Sequence, residues 1–194
     1  MINILVRTSN RPELFKRMLA SVQAQTFKDW RLIVGYDNPL ALAYIPNDPK
    51  IDSLCMVPQR EHLFFWNMYC NDLKQQVTDG WFFYLDDDDF LVNKFSLEVI
   101  ARHLTVDAGV ICQFVRNKKL KPHQIYINSK QIIRGKIGGS CIFLHASHKN
   151  LADWDGGRAA DYRFIKEIES KLPLKFVAVP VVAAGNNGLH GRIN

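Results

Sequence analysis

The sequence predicts an α/β fold with a largely parallel central sheet, and two observations support this fold class. Four short apolar runs in the first half of the chain each lead into a polar cluster, which is typical of strands buried on both faces of a sheet. Segments with helical spacing separate some of these runs, and strands that alternate with helices favour parallel pairing. The apolar runs cover residues 2–6, 30–34, 53–57 and 81–85.

Four helices are expected from apolar residues that recur every three or four positions. The first begins near Pro12, because the fixed φ of proline suits a first helical turn. The other three cover residues 63–77, 94–104 and 159–172.

The second half of the chain is less regular. Residues 109–115 and 174–182 are predicted to form strands, and 141–144 is another apolar run. The alternating character of residues 124–133 predicts an antiparallel hairpin. Because the chain contains no internal repeat and no convincing linker, we expect one domain over residues 1–194.

The composition is that of a globular protein. The chain has 194 residues, of which 47% are hydrophobic, and this length is enough to bury a core. The first residues lack the basic region of a signal peptide, and no apolar stretch is long enough to cross a bilayer. The four cysteines form no CxxC pair, which favours reduced thiols, no zinc site and a cytoplasmic location.

The formal net charge of +6 is compatible with several anionic partners. A basic surface could contact nucleic acid, an anionic membrane or a phosphorylated small molecule. The basic cluster at residues 116–121 lacks the interleaved aromatic residues of single-strand grooves, so we expect no nucleic-acid partner. Peripheral contact with a membrane stays open.

The most specific feature is a run of four aspartates at residues 86–89, named here the acidic run. It directly follows an apolar strand, and adjacent carboxylates repel one another unless a cation or hydrogen bonds compensate. One interpretation is a surface turn whose aspartates cap the following helix. The favoured one is a divalent cation site, because oxygen ligands suit Mg²⁺ or Mn²⁺ bound together with substrate phosphates.

Four segments of the chain resemble glycosyltransferases of the GT-A fold, and most closely the inverting family 2. They are ILVRTSNRPEL at 4–14, SVQAQTF at 21–27, YLDDDD at 84–89, which is similar to a DxD motif, and ADYRF at 160–164. The resemblance implies a Rossmann-like GT-A domain with helices on both faces of the sheet. Residues 1–105 would form the nucleotide-sugar-binding half, and 106–194 the acceptor-binding half with a C-terminal tail.

The resemblance also implies roles for residues at the strand ends. Thr8, Arg11 and Asp37 would line the nucleotide pocket, and Asp37 would accept a hydrogen bond from the base. Asp86 and Asp87 would lie near the ribose and the metal. The sequence departs from the family in having a single acidic residue, Asp37, after the second strand.

The metal, Mn²⁺ or Mg²⁺, would bridge the diphosphate of the donor. The resemblance makes Asp88 the principal ligand, with Asp86 beside it, while Asp89 is expected to cap the next segment. His190, in a glycine-flanked tail, is either a late metal ligand or a terminal residue without a role. We favour the ligand, because a tail can fold over a bound donor, where Arg192 could contact the diphosphate.

Asp161 would be the catalytic base that deprotonates the acceptor hydroxyl. The alternative is an aspartate that stabilises a helix N-terminus through the helix dipole. The residues leave the two interpretations even, and the resemblance favours the base. Two further positions stay open: Trp154 either stacks on a sugar or anchors the core, and one of Asn67 and Asn71 matches a family asparagine.

The predicted function is that of a metal-dependent, hexosyltransferase-like glycosyltransferase. It would move a sugar from a nucleoside-diphosphate donor, with UDP favoured, to a hydroxyl acceptor such as a glycan, with inversion favoured over retention. One alternative is a sugar nucleotidyltransferase, although the sequence lacks a glycine-rich phosphate loop. The other is a non-catalytic module that binds sugar nucleotides or glycans.

Overall fold

The computed structural model describes residues 1–185, and within them nine strands form one mixed sheet. The strands are β1 (Ile2–Thr8), β2 (Trp30–Tyr36), β3 (Ile51–Cys55), β4 (Trp81–Tyr84), β5 (Phe90–Leu91), β6 (Gly109–Arg116), β7 (Lys119–Lys121), β8 (Ile142–His145) and β9 (Leu174–Ala183). The α-helices are α1 (Pro12–Gln23), α2 (Tyr69–Gln75), α3 (Ser96–Ala101), α4 (Gln124–Asn128) and α5 (Ala160–Lys171). Short 3₁₀ helices cover Pro39–Ala43, Phe65–Asn67, Gly139–Cys141 and Ala146–His148.

The strand order is β3-β2-β1-β4-β8-β6-β9-β5, with β7 paired to β6. The first four strands are parallel, as the sequence predicts. The other half is mixed: β6 and β9 are parallel, whereas the β4–β8, β6–β8, β6–β7 and β5–β9 pairs are antiparallel. The fold is therefore α/β with a parallel half and a mixed half.

Strand β1 lies inside the parallel half, between β2 and β4. Ile4 is in register with Leu32 on one side and Phe83 on the other, and all three side chains are buried. A strand with neighbours on both sides and both faces covered needs a nearly continuous apolar sequence, which β1 has up to Val6. Helix α1 buries Phe15, Met18, Leu19 and Val22, which are its residues at helical spacing.

Because β1 to β4 are parallel, their carboxyl ends meet at one edge of the sheet, called here the carboxyl rim. Thr8 at the end of β1 is in register with Tyr36 at the end of β2, and Leu5 is in register with Tyr84 at the end of β4. The segments that follow these strands therefore start side by side, and they contain most of the residues predicted to bind the donor.

The predicted hairpin at residues 124–133 is wrong. Its first part forms helix α4, which begins after His123, whose ring nitrogen accepts the N–H of Ile125 at 3.4 Å. The hairpin occurs earlier, between β6 and β7. Its turn is formed by Asn117 and Lys118, whose φ angles of 52° and 59° suit a tight turn between twisted strands.

The predicted helix at 63–77 is divided into the 3₁₀ helix Phe65–Asn67 and helix α2. No helix in residues 1–185 combines the length and apolar character needed to cross a membrane.

Candidate functional site

The acidic run forms a tight turn at the carboxyl rim, directly after β4. The N–H of Leu85 still donates to Leu5 in the sheet, and the N–H of Asp89 then donates to the carbonyl of Asp86 at 3.0 Å. Asp87 is completely buried and Asp88 is 8% exposed. The run does not cap helix α3, since the side chain that accepts the N–H of Phe95 just before this helix belongs to Asn93.

Asp87 is held by Arg11. The guanidinium of Arg11 donates to both carboxylate oxygens of Asp87, with Nε 3.1 Å from Oδ2. Burial raises the pKa of Asp87 to about 6, against the opposing charge of Arg11 and a hydrogen bond from Thr8. The hydroxyl of Thr8 also lies 3.0 Å from that of Tyr44. The structure thus brings Thr8, Arg11 and Asp87 together through hydrogen bonds of Arg11 and Thr8 to Asp87.

Asp86 is held by a second arginine, Arg7, which the sequence analysis did not single out. Nη2 and Nε of Arg7 lie 2.6 and 3.2 Å from Oδ1 of Asp86. Partial desolvation of Asp86 by the surrounding protein disfavours its charge, but the charge and hydrogen bonds of Arg7 outweigh this effect and lower the pKa of the carboxyl. The Asp86 side chain is 48% exposed, so it remains accessible to a ligand.

Asp88 is less engaged by arginine than its two predecessors. Its Oδ2 lies 4.0 Å from Nη1 of Arg11, while its backbone carbonyl accepts a hydrogen bond from Arg17. Burial, followed by the charge of Asp86, raises the pKa of the Asp88 carboxyl. A carboxylate in this state gains from a nearby cation, because a cation offsets both effects.

The described residues at the rim fit a metal site that phosphate oxygens and water complete, and they do not fit a site made of protein ligands alone. Among residues 1–185, no group of three or more histidine, cysteine, aspartate or glutamate side chains is arranged to hold a metal ion. The carboxylates of Asp86 and Asp88 suit a cation that takes one or two protein ligands and completes its shell with phosphate oxygens and water. His190 and Arg192 lie outside the described residues.

Asp89 does not cap the next segment, contrary to the expectation for it. Its Oδ1 accepts the N–H of Gly185 at 3.0 Å, at the end of the described chain. Gly185 packs so closely that a Cβ there would lie 1.9 Å from the carbonyl oxygen of Asp88. Burial, with the charge of Asp86 next in size, raises the pKa of Asp89 to about 8.

Asp37, just beyond the end of β2, has one satisfied and one unsatisfied oxygen. The hydroxyl of Tyr69 donates to Oδ2 at 3.1 Å. Oδ1 is buried and has no hydrogen-bond partner among the described residues. Because an unpaired buried acceptor costs free energy, such an atom points to a ligand that donates a hydrogen bond.

Asp161 lies in the first turn of α5, after Ala159, whose φ is 61°. Its Oδ1 accepts the N–H of Tyr162 at 2.8 Å. A helix N-terminus by itself would lower the pKa of an aspartate. Here burial, together with the charge of Asp86, raises it. Asp161 and Asp86 are thus close enough to interact electrostatically.

Three residues that the sequence analysis left open now have defined contacts. Trp154 is buried and stacks on Phe164 with ring centroids 5.0 Å apart, so it anchors the core and does not offer a sugar platform. Asn71 binds the backbone of Trp154 through both ends of its amide. Asn67 instead accepts a hydrogen bond from Arg7, so the two asparagines serve different contacts.

Arg7 is the main functional candidate that sequence reasoning missed. A signal was present, because a charged residue near the end of a mostly apolar, buried strand needs a partner. The partner could not be identified, since Asp86 is 79 positions away along the chain.

Comparisons with known proteins place this arrangement in context. No protein-family model matches the sequence, and a search of curated proteins finds no relative. Solved structures do match. TarS 1–349 from S. aureus superposes with a TM-score of 0.76 and 13% identity over 96% of this chain. The same protein in complex with UDP gives a TM-score of 0.74 and 14% identity over 94% of this chain. The chain spans 60% of the length of TarS 1–349 in both cases.

A second match is the mannosyltransferase PcManGT from Pyrobaculum calidifontis, in complex with GDP-Man and Mn²⁺. It has a TM-score of 0.69 and 14% identity, and the alignment covers 97% of this chain and 58% of PcManGT. Identities of this size establish the fold alone. The chain therefore has the GT-A fold of glycosyltransferases.

Proposed function

We propose that this chain transfers a sugar from a nucleoside-diphosphate donor to a hydroxyl acceptor. One observation carries the proposal: in a GT-A fold, the acidic run lies on the same rim of parallel strands as Oδ1 of Asp37, which has no hydrogen-bond partner within residues 1–185. Ligands of open α/β sheets bind outside the carboxyl ends of the strands. The two features suit the two ends of a nucleoside diphosphate.

The base of the nucleotide would bind at Asp37. Oδ1 of Asp37 would accept an N–H from the base, which uracil and guanine both offer beside a carbonyl group. We favour UDP, because TarS 1–349 forms complexes with UDP and UDP-GlcNAc, while GDP-Man bound to PcManGT keeps GDP as the second candidate. Thr8, Arg11 and Asp87 would form the wall of this pocket.

The diphosphate would bind at the acidic run. Asp88, with Asp86 beside it, would hold Mn²⁺ or Mg²⁺, and His190 remains the proposed late ligand. When bound, such a cation neutralises negative charge on the departing nucleoside diphosphate. The Mn²⁺ in the PcManGT complex supports a divalent cation here.

Asp161 would act as the base. Its carboxylate would take the proton of the acceptor hydroxyl while the oxygen attacks the anomeric carbon and the nucleoside diphosphate leaves, which inverts the configuration. The raised pKa of Asp161 suits this role, since a base works best when its pKa approaches the working pH. Glycans are the favoured acceptors.

Calorimetry with UDP-sugars and GDP-sugars, with and without Mn²⁺, tests donor binding. We expect metal-dependent binding of at least one nucleoside-diphosphate sugar. The proposal fails if none binds in a metal-dependent manner.

The transfer step is tested with the Asp161→Asn variant. We expect it to bind donor as the native protein does, but to release nucleoside diphosphate at least about 100-fold more slowly, because a positioned base contributes about that factor or more. Native protein that binds donor without turnover would identify a non-catalytic binding module. The pairing of Asp86 with Arg7 and of Asp87 with Arg11 favours this alternative, because arginine charges already offset these two carboxylates. Release of pyrophosphate would identify a nucleotidyltransferase.

A further inference from the structure

A continuous set of hydrogen bonds runs from the acidic run to the first turn of α5, and it begins at Arg7. The guanidinium of Arg7 binds Asp86 on one side. On the other side, Nη1 donates to the carbonyl of Trp66 at 2.9 Å and to Oδ1 of Asn67 at 3.1 Å. Because guanidinium donors form a rigid planar fork, these contacts fix the 3₁₀ helix Phe65–Asn67 relative to Asp86.

Asn67 continues the connection to residues 155–159, called here the α5 entry loop. Its Oδ1 accepts from Arg7, so its Nδ2 faces away and donates to the carbonyl of Gly157 at 3.4 Å. Nearby, the N–H of Phe64 donates to the carbonyl of Gly156 at 3.1 Å. A Cβ on Gly156 would lie 2.4 Å from Cβ of His62, so the two segments are in close contact.

The α5 entry loop is in turn fixed to α5. Asp155 forms an ion pair with Arg163 through both of its oxygens, and Oδ1 also accepts the N–H of Gly157 at 2.7 Å. Arg163 donates a further hydrogen bond to the carbonyl of Arg158 at 2.9 Å. Since Asp161 precedes Arg163 by two residues in the same helix, these bonds connect the loop to the helical turn that contains Asp161.

We propose that Arg7 and Asn67 are positioning residues that set the placement of Asp161 relative to Asp86. Their contacts join Asp86 at the carboxyl rim to the α5 entry loop, which precedes the helix that contains Asp161. Neither residue needs to touch the acceptor for this role. The expected effect of Arg7 and Asn67 on turnover rests on the proposed function. Their expected effect on the α5 entry loop rests on the hydrogen bonds alone.

Asn67→Ala tests this role, with Gln75→Ala as the matched control. Gln75 is another amide side chain, at the end of α2. Its Nε2 donates to Oδ1 of Asn150 at 3.0 Å, outside the α5 entry loop. Asn67→Asp is a second variant: it keeps an oxygen for Arg7 and removes the N–H donated to Gly157. Amide hydrogen exchange of residues 155–162, donor affinity with Mn²⁺ and the rate of nucleoside diphosphate release are measured for each protein.

We expect both Asn67 variants to exchange amides in residues 155–162 at least about fivefold faster than the native protein, since the loop loses a contact. Donor affinity should stay within about twofold, while turnover falls by about tenfold or more, because a small misplacement of a reacting group has a large effect on rate. The Gln75 variant should match the native protein in all three measurements.

Unchanged exchange in the Asn67 variants overturns the inference whatever the turnover. Faster exchange with native turnover overturns the positioning role, and loss of donor affinity equal to the loss of turnover does so as well. If the native protein binds no donor, the proposed function has failed separately, and the exchange comparison alone decides whether Asn67 holds the loop.

Discussion

Two arginine–aspartate pairs connect the end of β1 to the acidic run, and they differ in their exposure to solvent. Arg11 and Asp87 form the inner pair, in which the carboxylate is completely buried. Arg7 and Asp86 form the outer pair, in which the carboxylate is 48% exposed. Neighbouring aspartates in one turn thus meet two different environments. The inner pair is built to hold the turn together, and the outer pair can still meet a ligand.

The largest expected effect comes from breaking the inner pair. Arg11→Leu leaves the buried carboxylate of Asp87 without its partner, and we expect a loss of about 3 kcal/mol in the free energy of unfolding at pH 8. The loss should shrink at pH 5, because the pKa of Asp87 is about 6 even with Arg11 present, so the carboxyl can protonate there. Urea denaturation at both pH values measures this.

Arg31→Leu is the control for this measurement. Arg31 also pairs with an aspartate, Asp52, but both side chains are substantially exposed. We expect a loss below about 1 kcal/mol at either pH. If Arg11→Leu is no more destabilising than Arg31→Leu, the inner pair does not hold the turn.

A smaller effect should separate the two carboxylates by role. Asp86→Asn should weaken metal-dependent donor binding by about tenfold, or about 1.4 kcal/mol, and should lower the free energy of unfolding by less than about 1 kcal/mol, because its ion pair with Arg7 is partly exposed. Asp87→Ala should lower the free energy of unfolding by about 2 kcal/mol, because it removes a hydrogen-bonded side chain from a buried site and leaves the guanidinium of Arg11 without its partner. Calorimetry and urea denaturation on the two variants measure both quantities. If the Asp86 variant loses mainly stability and the Asp87 variant loses mainly donor binding, the roles proposed for the two pairs are reversed.

The smallest effect concerns Asp89, which lacks an arginine pair among the described contacts and accepts the N–H of Gly185 instead. Its pKa is raised in the folded protein, so its favourable contribution to stability is present at low pH and is lost as the pH rises towards about 8. Asp89→Asn does not titrate and keeps an oxygen for Gly185. In metal-free protein, its advantage in unfolding free energy should therefore grow as the pH rises from 5 to 8.5.

Asp107→Asn, at an exposed position, provides the comparison for Asp89→Asn. We expect it to change stability by less than about 0.5 kcal/mol at every pH. If the advantage of Asp89→Asn in unfolding free energy stays constant with pH, the ionised carboxylate of Asp89 does not destabilise the turn.

The sequence predicted the parallel half of the fold well, for a physical reason. Strands that are buried on both faces need continuous apolar residues, and this pattern is visible in β1, β2 and β4 without knowledge of their partners. Parallel pairing then implied that Thr8, Asp37 and the acidic run share one rim. The mixed half was less predictable, because the alternation at residues 124–133 also fits a short amphipathic helix followed by a loop.

The contacts within the site could not be predicted in the same way. That Arg11 binds Asp87 and that Asp89 binds Gly185 depends on tertiary packing between residues 76 and 96 positions apart. Charge alone suggested that aspartates at a strand end would meet a cation. It did not show that two of those cations are arginines of β1 and its following turn.

Oδ1 of Asp37, which lacks a hydrogen-bond donor in the described part of the chain, has a practical consequence for ligand discovery. A buried acceptor without a donor lowers the stability of the ligand-free protein, by about 1–3 kcal/mol for a typical polar group. A small molecule that supplies one N–H at that point recovers part of this energy, whatever else it contacts. Melting-temperature screens with free bases, nucleosides and mononucleotides could therefore rank fragments of the donor before any acceptor has been identified.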